Sequence, residues 1–176
     1  MRSKYWLEGG KMNQASRLLA GLFSLCALLS LPEASAEESM NEPVCVIAAK
    51  AKLRSLPSTN AKVTWNVGRN MPLQRISTAK GWSQVKDLRG QTHWVISKVI
   101  SANQSCAVVR VRTAQLLKGG APGAEPADFK VADRYTPFKK VDREGQWVRL
   151  EDEYRGSYWT RESNVWIPVR RSRMSF

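Results

Sequence analysis

The stretch Trp82–Val95 (WSQVKDLRGQTHWV) decides the fold, because it holds two short alternating segments joined by a turn. Apolar and polar residues alternate in Trp82–Val85 and again in Thr92–Val95, and this period of two predicts β-strands. Between them, Arg89-Gly90 is typical of a turn. The stretch therefore predicts two short strands that follow each other closely.

The same pattern returns 65 positions later in the chain, where Trp147 and Trp159 repeat Trp82 and Trp94. Such a spacing predicts two units of about 60 residues each. Downstream of residue 36, no segment keeps a helical apolar period for more than about two turns, so we predict an all-β chain. Units this small bury only about 60% of their unfolded surface and must protect their strand edges, which favours small closed barrels.

Residues Leu53–Thr59 (LRSLPST) resemble the Val-Arg-Ser-Gly-Pro-Ser-Thr signature that opens bacterial SH3 (SH3b) domains. The family's later positions follow in order and spacing, at Gly81-Trp82, Val85, Gly90, Trp94-Val95 and Val99-Ile100. This resemblance implies two tandem small SH3-like β barrels, and it is closer over residues 45–101 than over 106–168. The family's turn glycine is replaced by Leu56, so this turn must avoid a positive φ.

The N-terminal region resembles an export signal. Leu18–Leu31 is an apolar run of 14 residues, too short for a hydrocarbon core of about 30 Å. Arg17 precedes it, and Ala34 and Ala36 supply the small residues that a signal peptidase requires. We predict a helical signal peptide cleaved after Ala36; the alternative is a buried core helix.

The predicted order of segments follows from these features. Residues 1–36 are the signal peptide, and we predict that translation begins at Met12, because Glu8–Lys11 would be encoded by purine-rich codons of the kind found in a ribosome-binding site. A linker at 37–44 leads into the first domain at 45–101. A second linker at 102–105 leads into the second domain at 106–168. A basic tail at 169–176 contains Arg170, Arg171 and Arg173.

Charge and export together restrict the partners. From residue 37 onward the chain carries 24 basic and 13 acidic residues, a net charge of +11. A periplasmic or secreted protein of this charge is attracted to anionic envelope material, and peripherally to anionic membrane surfaces. Export removes it from nucleic acid, which we exclude as a partner, and the mature chain contains no predicted transmembrane span.

Two cysteines remain after the predicted cleavage, Cys45 and Cys106. The resemblance implies that the first and last strands of an SH3-like barrel lie close together, so these two residues should meet, and export places them where disulfides persist. A bond between them would stabilise the fold by roughly 4 kcal/mol in the chain-entropy model. The alternative is a pair of buried thiols.

Enzyme chemistry is not predicted. One His and three Cys in the whole chain do not furnish a zinc site of the usual kind, and no glycine-rich loop is present to hold nucleotide phosphates. With His93 as the sole ring base, no hydrolase triad is predicted. We therefore expect no catalytic activity, no cofactor and no metal.

The candidate ligand-binding residues are aromatic rings near basic groups, since such rings stack on flat ligands. They are Trp65, Trp82, His93, Trp147 and Tyr158. We expect exposed edges at Trp82 and Trp147 and a surface position for His93, whereas Trp94 and Trp159 are expected to fill the two barrels. For Trp82 and Trp147 the core and ligand interpretations are left open.

The resemblance implies a function in binding. SH3b units often serve as targeting modules of cell-wall hydrolases, so it implies recognition of peptidoglycan or other cell-envelope material. The alternative is a protein–protein adaptor that docks on an envelope enzyme or assembly.

Overall fold

The structure is a computed structural model, and it describes residues 41–170. The predicted signal peptide at 1–36, with Met12, Ala34 and Ala36, lies outside the described residues, as do Arg171 and Arg173 of the predicted tail.

The described residues form β-strands and two single-turn 3-10 helices. In chain order the strands are β1 (Glu42–Val46), β2 (Lys50–Arg54), β3 (Val63–Gly68), β4 (Pro72–Ala79), β5 (Trp82–Lys86), β6 (Thr92–Ile96), β7 (Ile100–Ser101), β8 (Cys106–Val109), β9 (Thr113–Leu117), β10 (Pro126–Asp133), β11 (Pro137–Glu144), β12 (Trp147–Asp152), β13 (Gly156–Arg161) and β14 (Val165–Trp166). The 3-10 helices, Ser97–Val99 and Glu162–Asn164, precede β7 and β14.

The strands form two seven-stranded antiparallel sheets of identical topology. The first sheet has the order β3-β2-β6-β5-β4-β1-β7, and the second has β10-β9-β13-β12-β11-β8-β14. Each strand of the first sheet therefore has a counterpart in the same place in the second. The predicted all-β fold with two tandem SH3-like domains is confirmed. Below, the first domain means β1–β7 and the second domain means β8–β14.

The segment Trp82–Val95 adopts the two paired strands that its alternation predicts, β5 and β6. Their turn is closed by Asp87, whose Oδ1 accepts hydrogen bonds from the backbone N–H groups of Arg89 (2.8 Å) and Gln91 (2.9 Å). Gly90 has a φ of +79°, which glycine adopts without steric cost. Leu56, in the turn after β2, is not among the described residues with a positive φ, as expected.

Each domain has its own apolar core, made by every second residue of its strands. In β2, for example, Ala51 and Leu53 are buried while Lys50 and Lys52 are exposed. The first core contains Val44, Val46, Ala51, Leu53, Val67, Met71, Leu73, Val85, Val95 and Ile100. The second contains Ala107, Val109, Ala114, Leu116, Ala127, Ala132, Phe138, Val148, Leu150, Tyr158 and Val165.

Strand β8 joins the two cores, because all four of its residues are buried. Ala107 and Val109 face the second core, whereas Val108 belongs to the first. Trp166 on β14, which pairs with β8, also contacts the first core. The second domain thus completes the core of the first, which joins the two into one body.

Cys45 and Cys106 form the predicted disulfide. Cys45 lies on β1 and Cys106 opens β8, so the bond joins corresponding strands of the two domains. It fixes one domain against the other as well as closing the chain around the first domain.

Candidate functional site

Apart from the disulfide and the core that they share through β8, the two domains meet along two seams. In the first seam, the β3–β4 turn of the first domain contacts the β12–β13 turn of the second through an ion pair between Arg69 Nε and Glu153 Oε2 (3.3 Å). In the second seam, the β10–β11 turn contacts the first domain through Tyr135, whose ring is 5.6 Å from that of Trp65 in an edge-on arrangement.

The second seam is filled by alternating rings and guanidinium groups. Arg89 lies over the Trp65 ring with its Cζ 5.1 Å from the centroid, and Arg134 lies over the Tyr135 ring at 5.0 Å. These contacts occupy the ring surface that Trp65 would offer to a ligand. The proposed ligand role of Trp65 therefore stays a prediction, and its observed role is between the domains.

The first seam instead leaves a cleft of about 260 Å³. Its lining includes Asn70 and Pro137 from opposite sides, together with Tyr154, whose side chain is 87% exposed. The backbone N–H of Tyr154 donates to Asp152 Oδ1 (2.9 Å), which fixes the turn that carries the ring. Tyr154 was not among the residues predicted from the sequence, although it corresponds to Arg89 in the turn of the first domain.

Three of the predicted ligand residues are buried: Trp147 is 7% exposed, and His93 and Tyr158 are each 5% exposed. The expected exposed edge of Trp147 is wrong, because the ring is enclosed and Arg161 lies over it at 5.4 Å. Trp82 is only partly buried, as expected. A ligand role for these residues remains a prediction.

His93 is not the surface residue that we expected. It lies on the same side of β6 as Val95, which is fully buried, so alternation turns the imidazole inward. Its Nδ1 is 2.8 Å from Thr64 Oγ1, and its Nε2 is 3.5 Å from the buried carboxylate of Asp87. The imidazole therefore links β3 to the β5–β6 turn inside the first domain.

Tyr158 occupies the corresponding position in the second domain. Its hydroxyl donates to the carbonyl oxygen of Arg155, and its ring lies 6.2 Å from that of Phe129. Burial raises the pKa of the Tyr158 phenol above 10.0, Asp152 acts in the same direction, and Arg155 acts against it. The second domain thus has a neutral phenol where the first has a ring base.

The expectation that Trp94 and Trp159 fill the barrels is wrong. Each is partly buried between two inward, buried neighbours, so its ring lies on the outer face of its sheet. On that face Trp94 pairs across the strands with Arg54 and Gln84.

Trp159 is more enclosed than its counterpart Trp94 in one specific way. A loop of the second domain passes over the ring, and a Cβ atom added to Gly120 would lie 2.7 Å from the ring carbon Cε3. Arg149 lies over the ring with its Cζ 5.9 Å from the centroid.

The basic charge is distributed unevenly between the two domains, a feature that was not among the predictions from the sequence. Residues 45–101 contain ten Lys and Arg residues and one acid, Asp87, a net charge of +9. Residues 106–168 contain eleven basic and nine acidic residues, a net charge of +2. The side chain of Asp87 is fully buried, so this part of the first domain exposes no carboxylate.

Of the predicted basic tail, Arg170 is described, and its Nη2 lies 3.2 Å from Glu42 Oε1. Glu42 also pairs with Arg75, so the start of the tail rests against the first domain. Over residues 41–170, no three His, Cys, Asp or Glu side chains are grouped so that they could hold a metal ion. No helix within the same range is long and apolar enough to cross a membrane.

Comparisons with known proteins bear on the family. A model of the bacterial SH3 domain matches residues 48–102, and no curated protein matches the chain. Solved structures similar to this chain include an NlpC/P60 family protein from Bacillus cereus ATCC 10987 (11% identity, TM-score 0.34, 73% of this chain and 57% of that one). Another is the CBD of endolysin LysPBC5, with 13% identity and a TM-score of 0.29 over 74% of this chain and 95% of that one. A third is NlpC1 from Trichomonas vaginalis, with 9% identity and a TM-score of 0.30 over 74% of this chain and 46% of that one.

The chain thus spans 57% of the length of the NlpC/P60 protein, and likenesses at these TM-scores carry nothing about function. The family match is different, because it falls on the segment whose signature, strand order and closing strand have been described above. Residues 48–102 form a bacterial SH3 domain.

Proposed function

We propose that this protein is an exported, non-catalytic binding protein that recognises peptidoglycan or other cell-envelope material. The observation that carries the proposal is the bacterial SH3 domain itself. It is locked by a disulfide to a second domain of the same topology, and between residues 45 and 101 it contains ten basic residues, eight of them exposed, and no exposed carboxylate. Such a surface attracts the anionic polymers of an envelope.

The disulfide supports the proposed periplasmic or secreted location, because disulfides persist in oxidising compartments. The joined cores support a rigid arrangement of the two domains, so a long polymer can contact both without the entropy of ordering them. In residues 41–170 the buried His93 is held by Thr64 and Asp87 and is not open to a substrate.

The proposal is tested by sedimentation of the purified mature protein with isolated sacculi at low and high salt. We expect retention that survives about 0.5 M NaCl, since contacts made by rings and hydrogen bonds outlast screening that shortens the Debye length to a few ångströms. Retention that disappears at modest salt would mean charge attraction alone and would contradict specific recognition.

A second candidate function is an adaptor for an envelope protein, and the cleft beside Tyr154 favours it. An 87% exposed ring next to a cleft between two fixed domains resembles an anchor point for a protein partner. An absence of sacculus binding at any salt concentration would favour this candidate over the first.

A further inference from the structure

We infer that the outer face of the first domain binds an acidic glycan, a sugar chain that bears carboxylate or phosphate groups. The face consists of the outward side chains of β2, β5 and β6 with the adjoining loop, namely Lys52, Arg54, Lys62, Trp82, Gln84 and Trp94; we call it the Trp94 face. The inference rests on the proposed function and specifies the surface and ligand chemistry that the proposed function leaves open.

The two rings of the Trp94 face are positioned by strand register. Trp82 pairs with Ile96 and Gln84 pairs with Trp94, so the two tryptophans are diagonal neighbours on one side of the β5–β6 ladder. Such neighbours have Cα atoms about 7–8 Å apart, within reach of large rings. Both rings are only partly buried, so each keeps apolar surface open to the apolar face of a sugar ring.

Basic groups border these rings on the side of β2. Arg54 is the cross-strand neighbour of Trp94, and its Nη1 donates to the carbonyl oxygen of Ala61 (2.6 Å), which fixes the guanidinium beside the loop. Lys52 is exposed on the same side of β2, and Lys62 is exposed where the loop returns to the sheet. In residues 41–170 none of these three has a carboxylate within 4.0 Å, so their charge is available to an anion.

The corresponding face of the second domain differs in its tryptophan rings and in the residues beside them. Trp159, in the place of Trp94, lies under the loop that contains Gly120. Its cross-strand neighbours are Leu117 in place of Arg54, and Arg149, whose charge is balanced by Asp142 (3.5 Å). Trp147, in the place of Trp82, is buried. The two domains share one framework, and the open rings with uncompensated charge occur on the first.

Sugar rings with acidic groups match this surface better than other anionic partners. A membrane would need apolar side chains that protrude into lipid, whereas both tryptophans are partly buried on the sheet with basic groups beside them. A polyphosphate without sugars would use the charge and leave the rings unused. An acidic glycan engages both, with rings on Trp94 and Trp82 and anionic groups on Arg54, Lys52 and Lys62.

The test measures the binding of three soluble probes to the mature protein by titration calorimetry at about 0.05 M salt. The probes are oligogalacturonate, a neutral maltooligosaccharide of equal length, and polyphosphate. We expect oligogalacturonate to bind at least about tenfold more tightly than either of the others. Equal affinity for polyphosphate and oligogalacturonate would overturn the inference, and so would tighter binding to vesicles of phosphatidylglycerol.

Matched variants locate the surface. Trp94→Ala should weaken oligogalacturonate binding about tenfold, while Trp159→Ala, its counterpart, should change it less than about twofold. Because either ring contributes to folding, a second pair keeps the framework intact. Lys52→Gln and Gln115→Glu each lower the net charge by one at corresponding exposed positions of β2 and β9.

Lys52→Gln should weaken binding about threefold and Gln115→Glu hardly at all, since one exposed charge contact contributes modestly. Equal effects of the two changes would mean a response to net charge and would overturn the inference. Sacculus retention by the wild type, with Lys52→Gln and Trp94→Ala both binding as tightly as the wild type in every assay, would leave the proposed function standing and reject the Trp94 face. Loss of all sacculus retention would reject the proposed function instead.

Discussion

At the scale of single residues, Tyr135 shows what holds the two domains in register. It has a φ of +73°, and its counterpart in the first domain, Asn70, has a φ of +63°. The backbone N–H groups of both donate to the corresponding strands, to Val109 O (2.9 Å) and Val46 O (2.8 Å). Asparagine adopts this conformation readily and tyrosine does not, so the ring contact with Trp65 offsets a backbone cost of order 1 kcal/mol.

We predict that the effect of Tyr135→Asn depends on Trp65. With Trp65 present, the change should lower the free energy of unfolding only slightly, because the loss of the inter-domain ring pair and the relief of the backbone strain are of similar size. In a Trp65→Ala background it should be neutral or stabilising, because only the backbone strain is relieved. Urea unfolding of the four proteins measures this coupling, and an equal loss in both backgrounds would show that the ring pair contributes nothing.

From the raised pKa of the Tyr158 phenol, we predict that the free energy of unfolding falls at alkaline pH. Burial raises the pKa of its phenol above 10.0, so the folded protein keeps a proton that the unfolded chain releases. The associated stability is present below pH 10 and is lost as the pH rises through the folded pKa. Wild type should therefore lose more unfolding free energy than Tyr158→Phe between pH 8 and pH 10.5 in urea titrations. Parallel losses would contradict the raised pKa.

At the scale of elements, the loop over Trp159 depends on Gly120 having no side chain. A Cβ atom there would lie 2.7 Å from Trp159 Cε3, whereas at Gly119 the nearest contact would be an ordinary 3.5 Å, to Ala124. We predict that Gly120→Ala lowers the free energy of unfolding by roughly 1–3 kcal/mol through overpacking. Gly119→Ala is the control. Thermal unfolding compares the two, and equal stability would place the loop away from the ring.

Alternation along the strands explains which parts of the site the sequence could predict. The positions of β5 and β6 and the repeat of the domain follow from the alternation, the turn and the tryptophan spacing, and all are observed. The side on which each ring lies was not taken from this alternation, and Trp94, on a penultimate strand, was expected to fill the barrel. Val95, its small buried neighbour, determines the phase instead, and it turns His93 inward and Trp94 outward.

Features that depend on contacts between the two domains could not be predicted from the sequence of either repeat alone. The pairing of Cys45 with Cys106 was expected from proximity within one domain, yet it joins corresponding strands of two. Tyr154 was passed over because its exposure follows from the turn that Asp152 closes. The charge asymmetry was readable from composition, but only once the domains were counted separately.

At the scale of the whole molecule, the disulfide contributes to stability by restricting the unfolded chain. It links residues 61 positions apart, which corresponds to roughly 4 kcal/mol in the chain-entropy model. Replacing both Cys45 and Cys106 by Ser should lower the free energy of unfolding by about that amount in urea. A loss below about 1 kcal/mol would mean that the inter-domain contacts already hold the chain without the bond.

The central claim is that two SH3-like domains form one body, because Val108 and Trp166 of the second complete the core of the first. Scanning calorimetry of the oxidised mature protein tests this most directly. The account predicts a single transition whose calorimetric and van't Hoff enthalpies agree. Two resolved transitions, or a van't Hoff enthalpy near half the calorimetric value, would contradict it, because the domains would then unfold independently.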